Sequence, residues 1–179
     1  MAKEENWTVN YNTIYRISKY DPIFRINGAY TRDEWTDYGC IGHTFLGERL
    51  TRKEYNRVES QYLATLNDVL EYLSITEMVK GEMEWPNTFY RIFKRSPRTN
   101  RRDGILKFAK GCLRNRYWAQ MLHPNLRIHF AWDFYMELGC DAAVMPKEEM
   151  YRIVQKNQLH CQVYRYDEAR QMYFETESI

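Results

Sequence analysis

At 179 residues, with 44% hydrophobic and 28% charged side chains, the chain is long enough to bury a sizeable core and too apolar to be disordered throughout. The net charge is only +2, yet residues 91–116 hold ten Lys or Arg against the single acid Asp103, so the remainder is acidic. The first ten residues, MAKEENWTVN, have no apolar run, and no stretch approaches the roughly 20 apolar residues that span a bilayer, so neither a secretory leader nor a membrane helix is expected and a cytoplasmic location is.

Residues 13–20, TIYRISKY, alternate with a period of two and predict a strand. Ile14, Arg16, Ser18 and Tyr20 face one way, and Tyr15, Ile17 and Lys19 the other. Asp21-Pro22 ends it, and Asn27-Gly28 marks a turn. Residues 29–50 read as irregular, broken by Gly39, Gly42 and Gly47. Thr51 and Glu54 form a T-x-x-E capping box, after which Tyr55, Val58, Tyr62, Leu66, Val69 and Leu73 recur at helical spacing and predict a helix over 51–73. Its other side, with Glu54, Asn56, Gln61, Asn67 and Asp68, is expected to be wet. Trp85-Pro86 leaves 74–90 ambiguous, and 94–103, KRSPRTNRRD, reads as an exposed basic loop. Asp103 is placed to cap a second helix over 103–115. YWAQML and LRIHFAWDF, on either side of His123-Pro124-Asn125, suggest antiparallel strands, with 134–138 as a third strand or a bent extension. Pro146 suits the first turn of a third helix over 146–156, and 159–166 alternates as a last strand. Together these predict one α+β domain over 1–179, with an antiparallel sheet of about four to five strands against about three helices. The strands come from 13–20, 117–122, 126–139 and 159–166, and the ends 1–10 and 167–179 are expected to be loose.

Signals for chemistry are sparse. Cys40, Cys112, Cys140 and Cys161 are widely spaced and fit reduced thiols rather than a disulfide framework. Cys40 and His43 have a C-x-x-H spacing that could share a metal, but no second ligand cluster accompanies it. Cys140 and His129 are a nucleophile and a base linked only by nearness in sequence. Phosphate-binding glycine loops are absent. No enzyme activity, cofactor or metal is therefore expected. The basic segment 91–116, with Phe93 and Phe108, offers an alternative: an RNA-binding accessory protein that tracks phosphates and stacks bases.

Two stretches carry a resemblance. Residues 15–42, YRISKYDPIFRINGAYTRDEWTDYGCIG, hold a YRI-x-KY-x-P strand followed by D-EWT and Ile41-Gly42; HFAWDFYMELGC then matches an H-F-G-Y-D-Y-Y-M pattern through His129, Phe130, Asp133, Tyr135 and Met136, with Ala131 where a glycine is expected. Together they resemble the signature of small bacterial cytosolic immunity proteins, the antidotes of toxin systems such as contact-dependent growth inhibition. The resemblance implies an antitoxin acting by protein–protein interaction: a toxin inhibitor that binds a cognate toxin domain, expected to be a nuclease, and blocks its active site. The residues expected to meet that partner are Asp33, Glu34, Trp35 and Asp37, with Arg98, Arg101 and Arg102 from the basic segment. Against a nuclease's basic cleft the acidic members are favoured. Nucleic acid is expected to bind only weakly and non-specifically.

Overall fold

A computed structural model of the chain describes residues 11–27, 29–84, 99–131, 133–167, 170 and 172–179. Its centre is a sheet of eight strands rather than four to five. In chain order these are β1 (Thr13–Ser18), β6 (Glu77–Glu84), β7 (Thr99–Arg101), β8 (Trp118–His123), β9 (Leu126–Ala131), β10 (Tyr135–Cys140), β11 (His160–Asp167) and β12 (Met172–Ser178). Two small hairpins, β2 (Arg25–Ile26) with β3 (Ala29–Tyr30) and β4 (Thr44–Phe45) with β5 (Glu48–Arg49), lie in the segment expected to be irregular. The sheet order is β12-β11-β1-β10-β9-β8-β6-β7, with every pairing antiparallel. The amino-terminal strand β1 therefore sits between two strands from the carboxy-terminal third.

Two expectations are corrected and one open alternative is resolved. The end is not loose over 172–179: β12 pairs with β11, and Ile179 exchanges both backbone bonds with Cys161. Thr99–Arg101, expected in a loop, is edge strand β7, and the ambiguous 74–90 region supplies β6. Within 126–139 the separate third strand, not the bent extension, is what forms: Asp133 and Phe134 both take positive φ (60° and 66°), which ends β9 and turns the chain into β10. The expected 1–10 loose end lies outside the described residues.

Three helices, α1 (Arg52–Tyr72), α2 (Arg102–Leu113) and α3 (Lys147–Lys156), cover one face of the sheet. Alternation selects that face: Tyr15 and Ile17 of β1, Met136 and Leu138 of β10, Ile128 and Phe130 of β9, and Cys161 and Val163 of β11 are all buried against them. Thr51 Oγ1 accepts the Glu54 amide at the start of α1, as the capping box implies. The Glu54 carboxylate instead takes two bonds from Arg57. Asp103 does not cap α2; Arg101 holds the cap position without a side-chain bond, and Asp103 lies in the first turn, where its charge suits the helix dipole. Pro146 stands at the cap of α3. The side of α1 expected to be wet is half-covered: Arg102 bonds Asn67, Lys156 and Asn157 bond Asp68, and Gln158 pairs with Gln61.

Candidate functional site

The two stretches singled out in the sequence, within 15–42 and 129–140, meet in space. The Tyr20 hydroxyl donates to the carbonyl of Asp133 at 2.7 Å and lies 3.3 Å from that of Trp35. Its ring packs on Tyr30 and Tyr135. Trp35 is 8% exposed and contacts the Tyr55 ring and, edge-on, Phe134. Lys19 ties these groups together: its Nζ donates to Glu34 Oε2 at 2.8 Å and stands 4.3 Å from the Trp35 ring centroid and 4.1 Å from that of Tyr20. Tyr30 donates to the other Glu34 oxygen at 2.6 Å. Burial disfavours the Glu34 charge, but the bonds from Lys19 and Tyr30 outweigh it and hold the carboxyl below its usual range. Lys19 is itself pushed down by burial, against the pull of Glu34. The conspicuous Glu34-Trp35 pair is thus the base of the 21–50 segment, turned into the protein.

The outer side of that segment carries different residues. Ile23, Ile26 and Leu46 are 76%, 63% and 55% exposed. Leu46 has φ 50° and is followed by Gly47 at φ 84°, the positive pair that a two-residue hairpin turn requires. Turns of this kind favour Asn or Gly in the first position, so a leucine is held there, in solvent, against its backbone preference. Beside it lies a pocket of about 390 Å³ between the β4–β5 hairpin, residues 32–35 and the first turn of α1. Of the acidic candidates, Asp37 accepts the Gly39 amide at 2.6 Å and so shapes its own loop. Asp33 is exposed and makes no ion pair among the described residues. The sequence signal for this surface was the F-L-G-E run, in which the glycine marks a hairpin turn rather than the end of order.

The described part of the basic segment is drawn onto α1. Arg114 donates from Nε to Glu59 Oε1 at 2.6 Å and from Nη2 to Oε2 at 2.8 Å, and Lys110 Nζ is 3.4 Å from the same carboxylate, whose side chain is 3% exposed. Arg102 bonds Asn67 and Glu71, and Arg101 lies 3.8 Å from Glu77. Arg101 and Arg102 are therefore near neither Asp33 nor the 21–50 clamp in the hydrogen-bond network; they belong to the far edge, at β7 and α2. Arg98 lies outside the described residues. Glu59 was missed because it stands among the apolar positions of α1, where a lone acid gave no signal until its arginine partner, 55 residues on, was in place.

The nucleophile–base pairing and the metal-ligand spacing read from the sequence fare differently. Cys140 and His129 fall on opposite faces of the sheet: Cys140 lies on the helix side with Met136 and Leu138, its thiol pushed up to about 12 by burial, while His129 stands opposite Glu137 on the other face. Cys40 and His43 share one tight turn, joined by a backbone bond at 3.0 Å. Among the described residues no group of three or more His, Cys, Asp or Glu could hold a metal ion. On the face of the sheet away from the helices, Gln120, His129, Glu137, Arg16 and Gln162 follow one another across five strands. Arg16 donates twice to Glu137 Oε1 and once to the Tyr164 hydroxyl, and its guanidinium lies 4.7 Å from the Tyr164 ring centroid. His129 Nδ1 is 3.1 Å from Glu137 Oε2. The Gln162 amide is buried without a partner.

No helix among the described residues is long and apolar enough to cross a membrane. No protein-family model, curated protein or solved structure matches the chain.

Proposed function

We propose that the protein is an antidote: it binds one cognate toxin domain and covers its active site, using the outer side of the 21–50 segment. The observation that carries this reading is a locked base under an apolar, strained tip. The Lys19–Glu34–Trp35 clamp fixes the segment to the sheet and α1, so its outer residues need little further ordering on binding. Ile23, Ile26 and Leu46 then stand in solvent as apolar anchors with charges around them, the anatomy of a protein interface. A leucine held at positive φ at a hairpin tip is a local cost to folding that a partner's pocket offsets. The sequence pattern shared with immunity proteins points the same way.

The charges refine which contacts carry selectivity. Glu34 and Asp37 are engaged within the protein, leaving Asp33 and Glu48 as the acids facing outward, suited to the basic cleft of a nuclease. In the described part of 91–116, Arg101, Arg102, Lys110 and Arg114 face carboxylates of the same chain, so they are poor candidates for a phosphate backbone.

The test is growth of cells expressing the toxin domain encoded beside this chain, with and without the protein. Protection is expected from the wild type. Leu46→Asp and Asp33→Lys are expected to lose it while circular dichroism and melting remain normal. Cells that die equally with and without the wild-type protein would refute the antidote reading. Protection that survives both changes would leave the function standing and remove this surface from it.

A further inference from the structure

We infer that the pocket beside the β4–β5 hairpin binds a small organic anion, with an apolar or aromatic body and a carboxylate or phosphate head. This goes beyond the antidote reading and does not depend on it. The cavity, about 390 Å³, lies in the range of roughly 300–1,000 Å³ usual for small-molecule sites. Trp35, Phe45 and Leu50 give it apolar lining, and Trp35 and Leu50 are fixed by the core.

The charge balance sets the ligand's sign. Five charged residues line the pocket: Glu34, Glu48, Glu54, Arg32 and Arg49. Glu34 is bonded by Lys19 and Tyr30 and feels the Arg32 charge only through space, and Glu54 is bonded by both arms of Arg57. Arg32 instead lies 4.0 Å from the Phe24 ring centroid, and Arg49 Nε donates to the Gly42 carbonyl. Among the described residues neither guanidinium makes an ion pair. With Glu34 and Glu54 bonded to Lys19 and Arg57, two guanidiniums that make no hydrogen bond to a carboxylate stand against Glu48 and leave the mouth cationic beside Trp35 and Leu50. Guanidinium forks match carboxylate and phosphate oxygens two at a time, which suits them to such a head.

The test uses phenylacetate and phenyl phosphate as probes, phenylacetamide as the neutral control and inorganic phosphate as the bodiless one. Binding is followed by shifts of the Leu46, Gly47 and Leu50 amides in NMR spectra of the whole protein. Probes of about ten non-hydrogen atoms should saturate with dissociation constants on the order of 1–10 mM. At least one of the two anions should bind about tenfold more tightly than the amide and than inorganic phosphate. Which one binds better identifies the head group. Arg32→Gln and Arg49→Gln should each weaken that anion about tenfold, and Glu48→Gln should not. Arg49 also supports the hairpin, so Arg32→Gln, which removes no backbone bond, decides if the other variant melts early. Absence of saturation by both anions, equal binding of the amide, or unchanged binding in Arg32→Gln would overturn the inference.

Discussion

Replacing Arg114 by Met tests the central electrostatic feature of the helical layer. Glu59 is a carboxylate buried on the core side of α1, 3% exposed, and Arg114 supplies two of its bonds, at 2.6 and 2.8 Å. Taking away one partner of a buried pair costs about 3–5 kcal/mol, because the remaining charge stays dehydrated and unmatched. Lys110 remains 3.4 Å from Glu59, which places the expected loss at the lower end, about 3 kcal/mol. With a urea dependence of about 2 kcal/mol per molar, the unfolding midpoint should fall by about 1.5 M at unchanged slope. Thermal melting should fall by about 6–12 °C for a chain of this size. The double change Glu59→Met with Arg114→Met removes both charges and should recover most of the loss, since apolar replacements of a buried pair are often neutral or better. Urea titrations of the three proteins by circular dichroism give the answer. A midpoint shift under about 0.3 M for Arg114→Met, at constant slope, would show that water reaches Glu59 freely and that the pair does not fasten α2 to α1.

Leu46→Asn should raise stability by about 1 kcal/mol, read as a higher urea midpoint, because Asn accepts the positive φ of the hairpin turn that Leu resists; the same change should weaken the complex with the toxin domain. Glu34 and Glu137 are both held below the usual carboxyl range, against burial, by hydrogen bonds and neighbouring cations. The folded state therefore binds fewer protons than the unfolded one as pH falls through and below about 4.3, so stability present at neutral pH is lost on acidification through that window, and Glu34→Gln should flatten the dependence of urea midpoints on pH. Nucleic-acid binding at physiological salt should be weak and fall steeply with added salt; submicromolar affinity for a defined RNA under those conditions would promote the RNA-binding alternative.

Where periodicity was strong, the sequence was legible. Tyr55, Val58, Tyr62, Leu66 and Val69 placed α1 to within a residue at each end, and the alternation of TIYRIS assigned both faces of β1. The helix boundaries of α2 and α3 also came out closely, although their caps did not, because Asp103 and Pro146 can each occupy more than one position of a first turn. The strand count fell short because β6 lies in the segment that Trp85-Pro86 left ambiguous, and because β7 and β12 are edge strands, whose order comes from pairing with a neighbour rather than from their own pattern. The interface candidates show a related limit. The resemblance named Glu34 and Trp35 among the partner contacts, with a structural role as the alternative, and the fold turns both inward onto Lys19. Burial of a polar or aromatic side chain depends on which distant group meets it, and that information is not local.

The place of β1 in the sheet has a consequence in time. Arg16 and Glu137, paired across β1 and β10, are 121 positions apart. At about 5–20 residues per second, a ribosome needs about 6–24 s between them. Throughout that interval Tyr15 and Ile17 have neither of their eventual neighbours, since β11 follows later still. The first half of each nascent copy must therefore wait for the last third, with two strand edges open to wrong partners. On the proposed antidote function, a copy truncated before β10 would give no protection, and newly made chains would start to protect only after a lag. Protection would then rest on a standing stock of finished molecules made before the threat arrives.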